Sequence, residues 1–255
     1  VSLELLDPRS NKTLYATSAD GDSMESVLDS IDRVTASLRS TLGESMGALA
    51  QDPKPLPQVA TQSLDALRAY ALGQEAYGQG NYVLARDFYL RAIALDPEFA
   101  LAHMGAMRAY NVMDELPKGI PFLNRARELR SDMSGRDQVY LDSWVVQVEE
   151  PSRSADAWAL MARMYPDFFP ALANAAYALE VQNQHEPAQE LANRAAVPQS
   201  EFGALCLELL GRMQLARGQQ PAALPSFREA GQRGFHFTRL YTDEHITVGT
   251  VGVPH

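Results

Sequence analysis

One internal repeat limits what this chain can fold into more than any other feature. Leu72-Gly73, Ala76-Tyr77, Gly80-Asn81-Tyr82, Ala85, Tyr89, Ala92 and Asp96-Pro97 form its clearest copy. Leu210-Gly211, Gly218, Ala223, Phe227 and Ala230 keep the same steps. A unit that recurs at this length buries its apolar face against its neighbours, and several must stack to be stable. The two copies lie 138 residues apart, which accommodates four units of 34 to 35 residues. Small residues at Gly73 and Ala85 let two antiparallel helices approach, and Tyr89 or Phe227 fills the space beside them. Gly80 and Gly218 supply the turn between the helices, and Pro97 closes the second one.

Three weaker copies occupy the gap. The first runs through His103, Met107, Tyr110, Asp114, Leu123 and Ala126, with Gly119 at the close-contact place. The second runs from about Arg136 through Leu141, Asp142 and Val145, turns at Glu150-Pro151-Ser152 and continues through Trp158 and Met161; its turn is atypical. The third holds Ala175, Ala176, Leu179, Asn183, Ala188, Ala192 and Ala195. The expected fold is therefore mainly α: about five helical hairpins from 66 to 234, stacked through shared apolar faces. A compact helical bundle is the structural alternative.

These motifs resemble the tetratricopeptide repeat family over about two-thirds of the chain, specifically in the first and last units and loosely in the middle three. The resemblance implies an α-α superhelix whose first helices line a groove for a peptide or protein. From the register, that groove should present Tyr70, Gln74 and Tyr77, then Arg108 and Asn111, then Tyr177 and Glu180, then Glu208 and Arg212. Aromatic rings and paired polar groups of this kind bind through distributed contacts, although a solvated helix face is the simpler reading of each residue. Members that clamp a terminal carboxylate use Lys and Asn on the first helices. Here Tyr70, Gln74, Met104 and Arg108 stand at those places, which argues against an acidic tail as ligand.

The ends differ from the middle. Residues 1–19 alternate and turn at Asp7-Pro8-Arg9-Ser10-Asn11, so they read as a β-hairpin. Asp22 or Ser23 can cap a helix with the apolar stripe Val27, Ile31, Val34, Leu38 and Leu42, which should cover that hairpin. The domain plan is thus a hairpin-and-helix module at 1–50, expected to be part of a truncated α/β module, a proline-rich linker at 51–62, the solenoid at 63–234 and a terminal extension at 235–255. The start at Val1 reads as a cut from a longer protein.

Composition excludes several classes. A net charge of -10 without a basic stripe argues against nucleic acid, and no apolar run is long enough to insert in a membrane. Cys206 is the only cysteine and sits in an apolar run, as a packed thiol would. No nucleophile elbow, zinc-protease helix, paired-Cys motif or phosphate loop occurs, so no catalytic residue, metal or cofactor is expected. His236 and His245, with Asp243 and Glu244, fit a solvated terminus better than a metal site, and His103 fits a packed position better than a catalytic one.

The order of hairpin, Ser26-Val27-Leu28 helix, linker, Ser63 to Tyr70 and repeats is similar to the C-terminal region of bacterial multidomain signalling proteins, including putative cyclases of peptide modification systems. That resemblance implies a noncatalytic interaction or sensory module, with any catalytic domain elsewhere in the parent. The alternative is a structural or dimerisation region that regulates a fused nucleotide cyclase or kinase. The expected partner is a protein or peptide, with self-association as the other option. Either side of an upstream membrane span, cytoplasmic or periplasmic, is consistent with it.

Overall fold

The computed structural model of the chain describes residues 1–6, 12–21, 26–41, 61–197, 200 and 202–235. The expected turn at 7–11, the capping stretch 22–25, the linker at 51–60 and the extension beyond 235, with His236 and His245, lie outside the described residues.

Strands β1 (Ser2–Leu6) and β2 (Thr13–Ser18) pair antiparallel, with Leu3 opposite Thr17 and Leu5 opposite Tyr15. Period-two alternation turns these four residues to one side, where they are half-buried. Helix α1 (Val27–Thr41) packs on both strands, with Val34 buried and Ser37 Oγ 3.0 Å from the Tyr15 hydroxyl. An isolated hairpin is marginal in water, and the amphipathic helix supplies the missing apolar cover.

Ten helices follow as five hairpins: α2 (Leu64–Gly78) with α3 (Tyr82–Leu95), α4 (Ala100–Val112) with α5 (Leu116–Glu128), α6 (Gly135–Glu149) with α7 (Ser154–Met164), α8 (Phe169–Val181) with α9 (His185–Ala195), and α10 (Gly203–Ala216) with α11 (Gln220–Gln232). Ser63, Asn81 and Ser134 cap α2, α3 and α6 through side-chain oxygens. Pro117, Pro170 and Pro221 stand in the first turns of α5, α8 and α11, where a missing N–H costs nothing.

Four of the five turns place one residue in the left-handed region, at Gly80, Asp114, Asn183 and Gly218. Gly80 and Asp114 are 34 residues apart, and Asn183 and Gly218 are 35 apart. Asp and Asn tolerate this conformation better than other residues with a side chain, so they serve where glycine is absent. The middle hairpin turns instead through a 3-10 segment at Pro151–Arg153.

That hairpin nevertheless keeps the period. Tyr89, Leu123, Trp158, Ala192 and Phe227 recur every 34 or 35 residues on the second helices, and all are buried. A Cβ at Gly73 or Gly105 would lie 2.6 Å from the Tyr89 ring, and one at Gly211 would lie 2.7 Å from Phe227, so both rings need the bare backbone. Trp158 instead stacks into an aromatic cluster: Trp144 meets it edge-on at 5.5 Å and Tyr140 lies 5.6 Å away. The fold is a tetratricopeptide-like α-α superhelix preceded by a small hairpin-and-helix module.

The buried thiol of Cys206 is pushed up to about 12 by desolvation, which keeps it protonated and inert. His103 is packed beside Phe122, with Nε2 2.9 Å from the Pro97 carbonyl oxygen. Among the described residues no helix is long and apolar enough to cross a membrane.

Candidate functional site

The superhelix curls until its last hairpin touches its first, and the contact is aromatic. Tyr77 of α2 meets Phe202, the residue before α10, edge-on with centroids 6.0 Å apart. Arg108 of α4 lies between them, its guanidinium carbon 4.4 Å from the Tyr77 centroid, 5.4 Å from Phe202 and 5.9 Å from Tyr140 of α6. Only 4% of Arg108 is exposed. The concave face expected as one open groove is therefore divided by a plug, because large rings from both ends of the stack reach across its axis. Cation–π contact offsets part of the cost of burying this charge.

On one side of the plug lies a cavity of about 690 Å³. Tyr70, Leu101, Tyr140 and Phe168 give it apolar walls, and Gln74, Arg108, Arg136 and Arg233 give it polar ones. Tyr70 packs on Phe99 at 5.0 Å and on Tyr89 at 5.8 Å. Gln74 Oε1 accepts from the Tyr89 hydroxyl at 2.6 Å and from Arg108 Nη1 at 3.4 Å. The N-terminal turns of α6, α8 and α10 reach this cavity through Arg136, Pro170 and Gly203. Three positive helix ends thus face the same space as one negative end, that of α2 at Gly78 and Gln79.

On the other side lies a smaller cavity of about 160 Å³, lined by Tyr77, Asn111, Asp114, Trp144, Gln147, Asn174, Tyr177, Glu208 and Arg212 among others. Arg212 donates to Glu180 at 2.7 Å and pairs with Glu208 at 3.0 Å. Burial raises both carboxyl groups above the usual range, and Arg212 offsets only part of that rise. Two buried atoms at this mouth have no hydrogen-bond partner among the described residues, Trp144 Nε1 and Glu180 Oε2. Tyr177 and Val112 stand exposed at its rim, and Val181 one turn further along α8 is 65% exposed.

No family model matches the chain, and no curated protein matches it. Among solved structures it is similar to YrrB, a TPR protein described as having an unusual peptide-binding site, at 17% identity and a TM-score of 0.37 over 74% of this chain and 93% of that one. PilW, a widely conserved type IV pilus biogenesis factor, gives 18% identity and 0.43 over 69% and 80%. MamA from Desulfovibrio magneticus RS-1 gives 13% and 0.37 over 67% and 96%. The fold and the site rest on the helices and side chains of this chain.

The nine expected groove residues are thus distributed rather than aligned. Tyr70, Gln74 and Arg108 gather at the larger cavity, Tyr77 sits in the plug, and Asn111, Tyr177, Glu180, Glu208 and Arg212 gather at the smaller mouth. Phe202, Tyr140 and Trp144 shape the site without having been singled out for it. Phe99, Met133, Phe168 and Phe202 precede successive first helices at steps of 34 or 35 residues. That series of large apolar residues was the available signal for Phe202.

Proposed function

We propose that the chain is a noncatalytic recognition module of a larger bacterial signalling protein, and that it holds a peptide segment at the acidic mouth. The observation that carries this reading is the unpartnered Trp144 Nε1, a buried donor in a cavity where the Asn111 and Asn174 amides are also present. An N–H left unpaired in the interior costs free energy that a ligand carbonyl can recover. Exposed Val112, Tyr177 and Val181 offer apolar contact around it. Asp114, Glu180 and Glu208 outnumber Arg212, so the mouth favours a segment carrying Lys or Arg.

A displayed random-peptide library tests this directly. Wild type should enrich basic sequences, and Tyr177→Ala or Asn174→Ala should weaken a selected peptide by about tenfold, the scale of one interface anchor. Enrichment without basic preference, or binding by both variants equal to that of wild type, would overturn the reading.

The structural alternative, a dimerisation part beside a fused cyclase or kinase, draws on the N-terminal module. Val1, Leu6 and Leu14 are exposed there, Leu14 by 64%. Sedimentation of wild type and Leu14→Glu distinguishes it: a dimer lost in the variant supports this alternative, and a monomer in both removes it.

A further inference from the structure

We propose that the 690 Å³ cavity on the opposite side of the plug is a second ligand site, for a small organic anion with a carboxylate or phosphate group on a flat apolar body. This inference is independent of the peptide reading, since it concerns other residues and the opposite charge.

Arg108 carries the argument. Among the described residues it forms no ion pair within 4.0 Å, and its hydrogen-bonding contacts are to neutral groups, the 3.4 Å one to Gln74 and one to the Tyr77 hydroxyl. The Gln74 acceptor is already taken at 2.6 Å by the Tyr89 hydroxyl. The rings of Tyr77, Tyr140 and Phe202 neighbour the guanidinium, but they offer π faces and edges in place of a carboxylate. A guanidinium carries five donors in a planar fork that matches a carboxylate or phosphate. An ion buried to this degree is ordinarily paired, and the missing partner is an anion.

The surroundings point the same way. The other two cations of the cavity have partners of their own: Arg136 pairs with Asp137 at 3.2 Å, and Arg233 pairs with Glu229. Asp137 is committed further, because its Oδ2 accepts from Ser134 Oγ at 2.8 Å. Glu75, the other acid of the lining, is exposed at the rim and accepts from Gln79. Arg108 is therefore the cation left for a ligand, and the positive ends of α6, α8 and α10 add to its field. The volume suits a compact molecule, and Tyr70, Leu101, Tyr140 and Phe168 would flank an aromatic or short acyl body. The plug of Tyr77, Arg108 and Phe202 stands between this cavity and the other mouth.

Calorimetric titration of the 255-residue chain with 2-naphthoate, 1-naphthyl phosphate and uncharged 2-naphthamide tests the site. At least one anion should bind, with 2-naphthamide about ten- to a hundredfold weaker, the span expected for a charge-assisted contact. The tighter of the two anions identifies the head group. Arg108→Met should reduce anion binding to the level of the amide, while Arg163→Met, at an exposed position lining neither cavity, should leave it unchanged. Ala71→Trp, built from an exposed helix position on the cavity lining, should block all three probes and keeps the test decisive if Arg108→Met does not fold. No heat from either anion, equal binding of acid and amide, or unaltered binding by Arg108→Met or Ala71→Trp would overturn the proposal.

Discussion

The larger cavity and the acidic mouth are cut from the same first helices, yet each holds an arginine under opposite conditions. Arg212 has two carboxylates within 3.0 Å and sits at the edge of solvent, whereas Arg108 has three aromatic rings, only neutral hydrogen-bonding partners and almost no solvent. At the first, charge is balanced inside the protein and the residual polarity is negative. At the second, charge is stacked rather than balanced. The difference teaches that a superhelix with an aromatic plug can present two electrostatic characters along one concave face, because the first turns of α6, α8 and α10 open on one side and the acids Asp114, Glu180 and Glu208 gather on the other.

The contrast can be broken most forcefully at Arg108. Arg108→Ala should destabilise the chain by about 3 kcal/mol, through the cavity left between the rings, and Arg108→Met should cost less than about 1.5 kcal/mol because volume is kept. Urea unfolding of the two variants checks this; equal losses would mean that the charge, and not the packing, holds the plug. Gly105→Ala comes next, with a loss of about 1–2 kcal/mol once crowding of Tyr89 is set against the helix preference of alanine. Its effect should exceed that of any alanine placed at Gly135, where an added Cβ meets nothing within 4 Å.

At the acidic mouth the expected effects are smaller and depend on pH. The folded-state values of Glu180 and Glu208 are raised, so their contribution to stability is present below the usual glutamate range and is lost as pH rises through the raised values. Glu208→Gln should therefore gain on wild type as pH is taken from 4 to 7, read as a growing difference in melting temperature. A constant difference would show that Arg212 already compensates both acids. The smallest change is expected for Arg136→Gln, below about 1 kcal/mol, since that arginine is half-exposed and its ion pair is screened; a larger loss would show that the positive end of α6 matters to the fold.

The repeat made the helices, the turns and the glycine–ring contacts legible, because each depends on residues within one unit. Tyr89 beside Gly73 and Phe227 beside Gly211 follow from spacing alone. The middle hairpin was located but its register was less plain, because its turn is atypical; Trp158 holds the position of Tyr89 two units on. The closure of the concave face was not legible. It arises from the sum of small rotations between successive hairpins, which no single residue encodes, and so Tyr77 and Arg108 read as groove residues when they lie inside. The charge difference between the two mouths was equally hidden, because net charge is summed over a surface that the curl divides.

The meeting of Tyr77 with Phe202 also changes how this molecule should come apart. In an open array of repeats each unit touches only its neighbours, so the ends fray first and unfolding spreads inward. Here the terminal hairpins support one another, and neither can melt without exposing the partner's ring. The array is linked into a loop of contacts, and its loss of structure becomes a concerted event in place of a stepwise one.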